Sequence, residues 1–572
     1  MDRKPVIYQL LPRLFSNRTQ HPVQGGTIEQ NGCGKLNDIT TDVIMSIADL
    51  GATAIWYTGV IEHAHCTDYS RFGIKPDNPH VVKGKAGSPY AIKDYYDIDP
   101  DLAVNVPDRM AEFEALVDRT HRCGLDVIID FVPNHTARCY NSDARPKDAP
   151  EDFGAKDHTD MFFFPDNNYY YLPRQQFSPS IDLGQGEDEY VEFPAKASGN
   201  DCFNAFPNQN DWYDTVKLNY GKDYGDWTEH FHPVPDTWHK MLHILRFWAS
   251  KGIDAFRCDM VHMVPLQFWQ WAIAAVKADY PHVRFIAEIY DPALYRPFIF
   301  QGGFDYLYDK VGLYDTLRAI QSSKTSAATL TFCWQTVEGI SSHMLNFLEN
   351  HDEQRYASSF YCGTPVKILP ALVVSSMINS GPMMIYMGQE LGEPGNDSEG
   401  FSGRDGRTTI FDYWTIDTIS RWIGPDLKPS DRYLTADEIA LRHVYAEVLR
   451  IASTEPAIAR GKFFDLMYVN FSNVTVNPHR HYLFLRLDRE TCSAVVIAVN
   501  FGNQASNMRI NLPEHLFDFF CIEPMEKADA CELLTGRRTT LPFSPDQQFP
   551  AFVQQYGAAI WRIEGIKFTD EK

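Results

Sequence analysis

Residues 252–260 read GIDAFRCDM. Ile253, Ala255, Phe256 and Cys258 suit a buried strand, yet Arg257 and Asp259 interrupt it with opposite charges. Side chains of an extended chain alternate between two faces, so positions 257 and 259 share one face. Such a strand carries either a satisfied ion pair or the start of a site where chemistry needs both charges. What the other strands do decides between these readings.

Eight short apolar runs recur along the chain: VIYQLLP from Val6, ATAIWYT from Ala52, LDVIIDFV from Leu125, IDAFRCDM from Ile253, RFIAEIY from Arg284, FDYLYD from Phe304, MLNFLEN from Met344 and MMIYMG from Met383. Helical stretches separate several of them. PDRMAEFEALVDRTHRCG opens on proline and ends at Gly124, and DTWHKMLHILRFWASKG opens on Asp236 and ends at Gly252. Alternating strands and helices predict a parallel sheet, and eight strands close a (β/α)8 TIM barrel.

Between Asn134 and Asp236 lie roughly a hundred residues rich in aromatic, Pro, Gly, Asn and Asp side chains, too many for a plain loop. They predict an irregular domain inserted after the third strand. From about Ala457 short strands such as HYLFLRLD, SAVVIAVNF and GAAIWRIE alternate with turns, which predicts a C-terminal antiparallel β-sandwich. The expected organisation is barrel over 1–135, insertion over 136–235, barrel again over 236–456, and sandwich over 457–572.

With 572 residues, two or three domains are expected. The 75 acidic residues against 52 basic ones leave a net charge of -23, which repels nucleic acid and anionic membrane surfaces and favours a neutral substrate. No stretch approaches the roughly 20 apolar residues of a spanning helix. The basic start lacks the apolar run of a signal peptide, and the eleven cysteines form no CxxC pairs. A cytoplasmic protein with reduced thiols is the expectation; the oligomeric state stays open.

In a barrel, chemistry collects at the C-terminal ends of the strands. The third run ends in Asp130, Asn134 and His135, the fourth in Arg257 and Asp259, the fifth in Glu288, and the seventh in His351 and Asp352. Paired carboxylates at one rim suit glycoside hydrolysis, where one protonates the leaving oxygen and another attacks. Arg257 is expected to keep Asp259 ionised as nucleophile, while burial and neighbouring carboxylates keep Glu288 protonated.

The segments DFVPNH (130–135), GIDAFRCD (252–259), AEIY (287–290), FLENHD (347–352) and VKLN (216–219) together resemble the α-amylase family, glycoside hydrolase family 13. The resemblance implies a retaining α-glucan enzyme that cleaves α-1,4 bonds of maltodextrin or starch fragments. It makes Asp259 the nucleophile, Glu288 the acid/base and Asp352 the carboxylate that steadies the distorted sugar. Arg257 would orient Asp259, His135 and His351 would bind sugar hydroxyls, and Asp130 would support the site. Tyr90, in SPYAIKDYYDIDP, would stack on the sugar, although Ser88-Pro89 stands where the family has His-Gly. Many α-amylases carry Lys-His after the nucleophile, but this chain has Met260, Val261, His262 and Met263, which leaves hydrolysis and glycosyl transfer both open. The resemblance implies no cofactor for the chemistry. Asn134 corresponds to a ligand of a structural calcium, with Asp182 and Asp188 as candidate partners.

Other readings remain at this stage. Transglycosylation or action on α-1,6 links stays within the family. EHAHC, with His63, His65 and Cys66, offers a metal-dependent barrel hydrolase, and GQELGEPG a phosphate cradle that lacks its lysine. A catalytically dead barrel acting as a binding subunit is the non-enzymatic alternative.

Overall fold

The eight apolar runs become the eight strands of a closed parallel barrel. In the computed structural model, which describes residues 3–181 and 190–569, these are β1 (Val6–Leu10), β2 (Ala54–Tyr57), β3 (Asp126–Phe131), β4 (Ala255–Cys258), β5 (Arg284–Ala287), β6 (Tyr306–Tyr308), β7 (Met344–Phe347) and β8 (Met383–Tyr386). Each pairs with its neighbour in sequence, and β8 closes on β1 with Met384 opposite Ile7.

Two-residue periodicity sorts the strand side chains. Ile7, Trp56, Ile128, Ala255, Ile286, Phe347 and Met384 pack together in one interior cluster. The alternate residues Ile55, Ile129, Phe256 and Phe285 join the larger core that includes the surrounding helices. A barrel filled in this way is solid, and its working surface is the rim.

Helix α1 (Arg109–Arg122) is followed by Gly124 at φ +77, a left-handed position where glycine ends the helix without strain. Helix α2 (Asp236–Ala249) carries the chain from the insertion back to β4. The insertion itself is mostly turns. Its firmest attachment is an antiparallel pair, His135–Ala137 with Thr215–Lys217, in which His135 faces Lys217.

The C-terminal β-sandwich consists of a six-stranded antiparallel sheet, running in space 462–465, 481–488, 493–500, 557–563, 525–532, 538–543, and a two-stranded sheet of 506–510 with 549–553. Helix α3 (Ile368–Met377), ILPALVVSSM, is apolar nearly all round because it is buried between the barrel and this sandwich. Among the described residues no helix is long and apolar enough to cross a membrane.

Arg486 ties the sandwich to the barrel. It is 2 % exposed, and its guanidinium donates to the carbonyls of Ile378 (2.9 Å), Ala457 (3.2 Å), Ile458 (3.0 Å) and Gly461 (2.6 Å). Arg486→Met keeps the stem but strands these buried carbonyls, so it is expected to cost on the order of 3 kcal/mol and lower the thermal unfolding temperature. Calorimetry of the variant beside the parent protein checks this.

Candidate active site

The inner-face positions continue outward past the last apolar layer. On β3, Ile128 is followed on the same face by Asp130, on β4 Ala255 by Arg257 and Asp259, and on β5 Ile286 by Glu288. The parallel register sets Arg257 opposite Asp130 on one side and Ile286 on the other. Three neighbouring strands therefore aim their polar residues at one point.

The guanidinium of Arg257, 1 % exposed, occupies that point. Nη1 lies 2.9 Å from Asp259 Oδ1 and 3.5 Å from Asp130 Oδ1, and Nη2 lies 2.8 Å from Glu288 Oε1. Trp56, Tyr90 and Tyr308 present ring faces to it at 5.2, 5.4 and 5.6 Å. Trp56 also donates from Nε1 to Asp130 Oδ2 at 3.0 Å.

His351 and Asp352, from the end of β7, join from the opposite side. The Tyr90 hydroxyl meets His351 Nε2 at 2.7 Å and Asp130 Oδ1 at 3.3 Å, and the Tyr90 and His351 rings stack at 5.2 Å. His351 Nε2 lies 3.1 Å from Asp352, while Gln9 of β1 holds its Nδ1 at 2.8 Å. His135 packs against Trp212 of the insertion at 5.1 Å. A cleft of about 600 Å³ is lined by Tyr90, His135, Trp212, Asp259, Glu288 and Asp352 among others. The residues singled out in the sequence are thus brought together, with Arg257 and Asp130 buried behind the cleft wall.

Titration of the nucleophile candidate runs against expectation. Burial first, and then the charge of Glu288, push the Asp259 carboxyl well above the usual range, and Arg257 only partly offsets them. Glu288 is ion-paired with Arg257 and accepts from the Met260 backbone N–H at 2.9 Å and from the Tyr290 hydroxyl at 2.5 Å. The donors that favour a charged carboxylate gather on Glu288 rather than on Asp259. Burial works to raise Asp352 as well, but His351 pulls it down to about 2. Burial, then the Lys217 and Lys83 charges, hold His135 down to about 3, so its ring is neutral at ordinary pH.

Several participants lie outside the sequence reading: Gln9, Trp56, Trp212, Tyr290 and Tyr308. Tyr290 alone had a local signal, two residues beyond Glu288 in AEIY. His262 lies beside the Tyr290 ring at 6.5 Å.

The remaining motifs find other partners. His63 pairs with Asp99 at 2.9 Å and with Arg13. His65 Nδ1 accepts the Thr67 N–H at 3.1 Å, and Asp99 and Asp101 lie close by. GQELGEPG is a turn anchored by Glu390, which accepts from Tyr8 at 2.9 Å. Asp182 and Asp188 lie outside the described residues. Asn134 Oδ1, the oxygen assigned to calcium by resemblance, accepts a hydrogen bond from the Lys217 ammonium. The donor set around it does not fit a divalent cation, since one of its neighbours is itself a cation.

Residues 9–285 match the family model described as alpha amylase, catalytic domain. An alpha-amylase of Streptomyces lividans is 24% identical over 492 residues, covering 80% of this chain and 50% of that protein. An alpha-1,4-glucan:maltose-1-phosphate maltosyltransferase of Rhodospirillum rubrum is 26% identical over 300 residues, 52% of this chain and 31% of that protein. The chain spans half or less of the length of these two relatives. The crystal structure of an alpha-amylase from Geobacillus thermoleovorans, complexed with acarbose, superimposes with a TM-score of 0.62 at 18% identity, covering 98% of each chain.

Tyr290→Phe takes the hydroxyl donor from Glu288 and is expected to lower kcat/KM by about tenfold, the worth of one hydrogen bond to a charged group. Steady-state kinetics of the variant beside the parent protein reads the loss.

Proposed function

This chain belongs to the α-amylase family, and we propose that it cleaves α-1,4-glucosidic bonds of maltodextrin or starch fragments with retention of configuration. The observation that carries the reading is the pair Asp259 and Glu288 bound to the two terminal nitrogens of one buried guanidinium. Acids held this close leave no gap of about 6.5–9.5 Å for a water between them, the spacing an inverting enzyme needs, and so support direct attack by one of them.

In this mechanism a sugar enters with its glycosidic oxygen at Glu288 and its anomeric carbon at Asp259. Glu288 acts in its acid form, and positive charge growing at that carbon favours the Asp259 carboxylate. Glu288 then protonates the leaving oxygen while Asp259 forms the covalent glycosyl bond. Water or a sugar hydroxyl, deprotonated by Glu288, breaks that bond and regenerates Glu288 as the acid. Asp352, held ionised by His351, stabilises the oxocarbenium-like transition state, and Tyr90, which lines the cleft, meets the apolar face of the sugar. His135, held neutral by burial and then by its neighbouring lysines, binds a hydroxyl, as does His351.

Glycosyl transfer is the second reading. It is favoured by the match to a maltosyltransferase and by Met260 to Met263, where the family's Lys-His is absent. The eleven cysteines, all unpaired, fit a reducing cytoplasm and substrates already inside the cell.

A time course with maltoheptaose, following product length and the anomer first released by NMR, tests the reading. Shorter products of α configuration are expected; products longer than the substrate would establish transfer, and β products would overturn retention. Asp259→Asn is expected to lower kcat by at least about 10⁴-fold. It should also raise the unfolding temperature at pH 7: an acid whose folded pKa is raised costs stability once the pH exceeds its ordinary pKa, and the amide removes that cost.

A further inference from the structure

The insertion returns to the barrel through Thr215–Lys217, and the Lys217 side chain turns inward, 2 % exposed. Its ammonium donates to Asn134 Oδ1, to Asp201 Oδ1 at 2.7 Å and to the Met263 carbonyl at 3.1 Å. An ammonium has three N–H groups, and three oxygens receive them. Each oxygen comes from a different part of the molecule. Asn134 follows β3, Asp201 lies in the insertion, and Met263 closes the short turn Val261–Met263 directly after Asp259.

The surroundings are built to hold this charge. The Asn134 amide nitrogen donates to the Gly199 carbonyl at 2.7 Å, so the side-chain oxygen is turned toward Lys217. The Asn134 carbonyl accepts the Leu218 N–H at 2.9 Å, fixing the lysine's strand against the rim. Asp201 supplies the counter-charge. A calcium ion wants six to eight oxygens at about 2.3–2.6 Å, and an ammonium among them takes the place of the ion rather than serving it.

We propose that Lys217 is a covalently attached substitute for a structural divalent cation: a positioning residue that clamps the insertion and the turn after Asp259 to the third strand without bound metal. The clamp acts on the site through position. Met263 belongs to the turn that begins at Met260, whose backbone N–H holds Glu288, so releasing the ammonium loosens both the nucleophile loop and the acid's support.

Two measurements on the full chain test this, and both read stability and metal content, so their result is independent of which bond the enzyme cleaves. The parent protein is first assayed for bound metal and then unfolded thermally in EGTA and in calcium chloride. The expected result is no stoichiometric calcium and the same unfolding temperature in both. Lys217→Ser removes the ammonium and leaves the Asn134, Asp201 and Met263 oxygens facing a gap. This variant is expected to unfold several degrees lower in EGTA and to regain part of the loss in calcium, a response a merely structural lysine would not confer. Stoichiometric calcium in the parent, or a parent destabilised by EGTA, would overturn the proposal. So would a Lys217→Ser protein as stable as the parent, or one indifferent to calcium. Should the variant not fold, the parent's behaviour in EGTA decides alone.

Discussion

A guanidinium buried at the mouth of a closed barrel has to be neutralised where it stands, and the site is organised by that requirement. Arg257 cannot reach bulk water, so the carboxylates of Asp259, Glu288 and Asp130 come to it from three adjacent strands, and aromatic faces fill the remaining directions. More acid than base is packed into a dry volume. That excess, with little water to screen it, pushes the Asp259 carboxyl above its ordinary range. The arrangement is costly for the fold and useful for the chemistry, because an acid held above its ordinary range changes protonation when charge appears beside it.

Three buried cations divide the work of assembly. Arg257 gathers carboxylates, Lys217 gathers one amide oxygen, one carboxylate and one carbonyl, and Arg486 gathers carbonyls alone. The difference in partners matches the difference in task. Where protons must move, the partners are titratable. Where the insertion and the sandwich must stay put, they are mostly backbone and amide oxygens that keep one protonation state across the working pH range.

The barrel was legible because its code is local. Eight apolar runs with two-residue alternation name the strands, and Ala255, Arg257 and Asp259 follow one another on a single face whatever surrounds them. The interruptions of that pattern at Asp130, Arg257, Asp259, Glu288 and His351 marked the rim before any contact was known. Tyr290 was open to the same argument, two positions beyond Glu288. Gln9, Trp56 and Trp212 were not. Gln9 matters only because β1 closes beside β8 and so reaches His351, and Trp212 only because the insertion folds back over His135.

The sequence by itself therefore determined which residues are strand, which face of each strand carries chemistry, and that a carboxylate pair stands beside an arginine. Tertiary structure decided the rest. The sign of the Asp259 shift depends on how much water is excluded and on how near Glu288 lies, neither of which is written in residues 252–260. The occupant of the Asn134 oxygen depends on a lysine more than eighty positions away arriving across a two-stranded pair. Local periodicity is a property of neighbouring residues. Desolvation and charge pairing are properties of whatever the closed fold brings within a few ångströms.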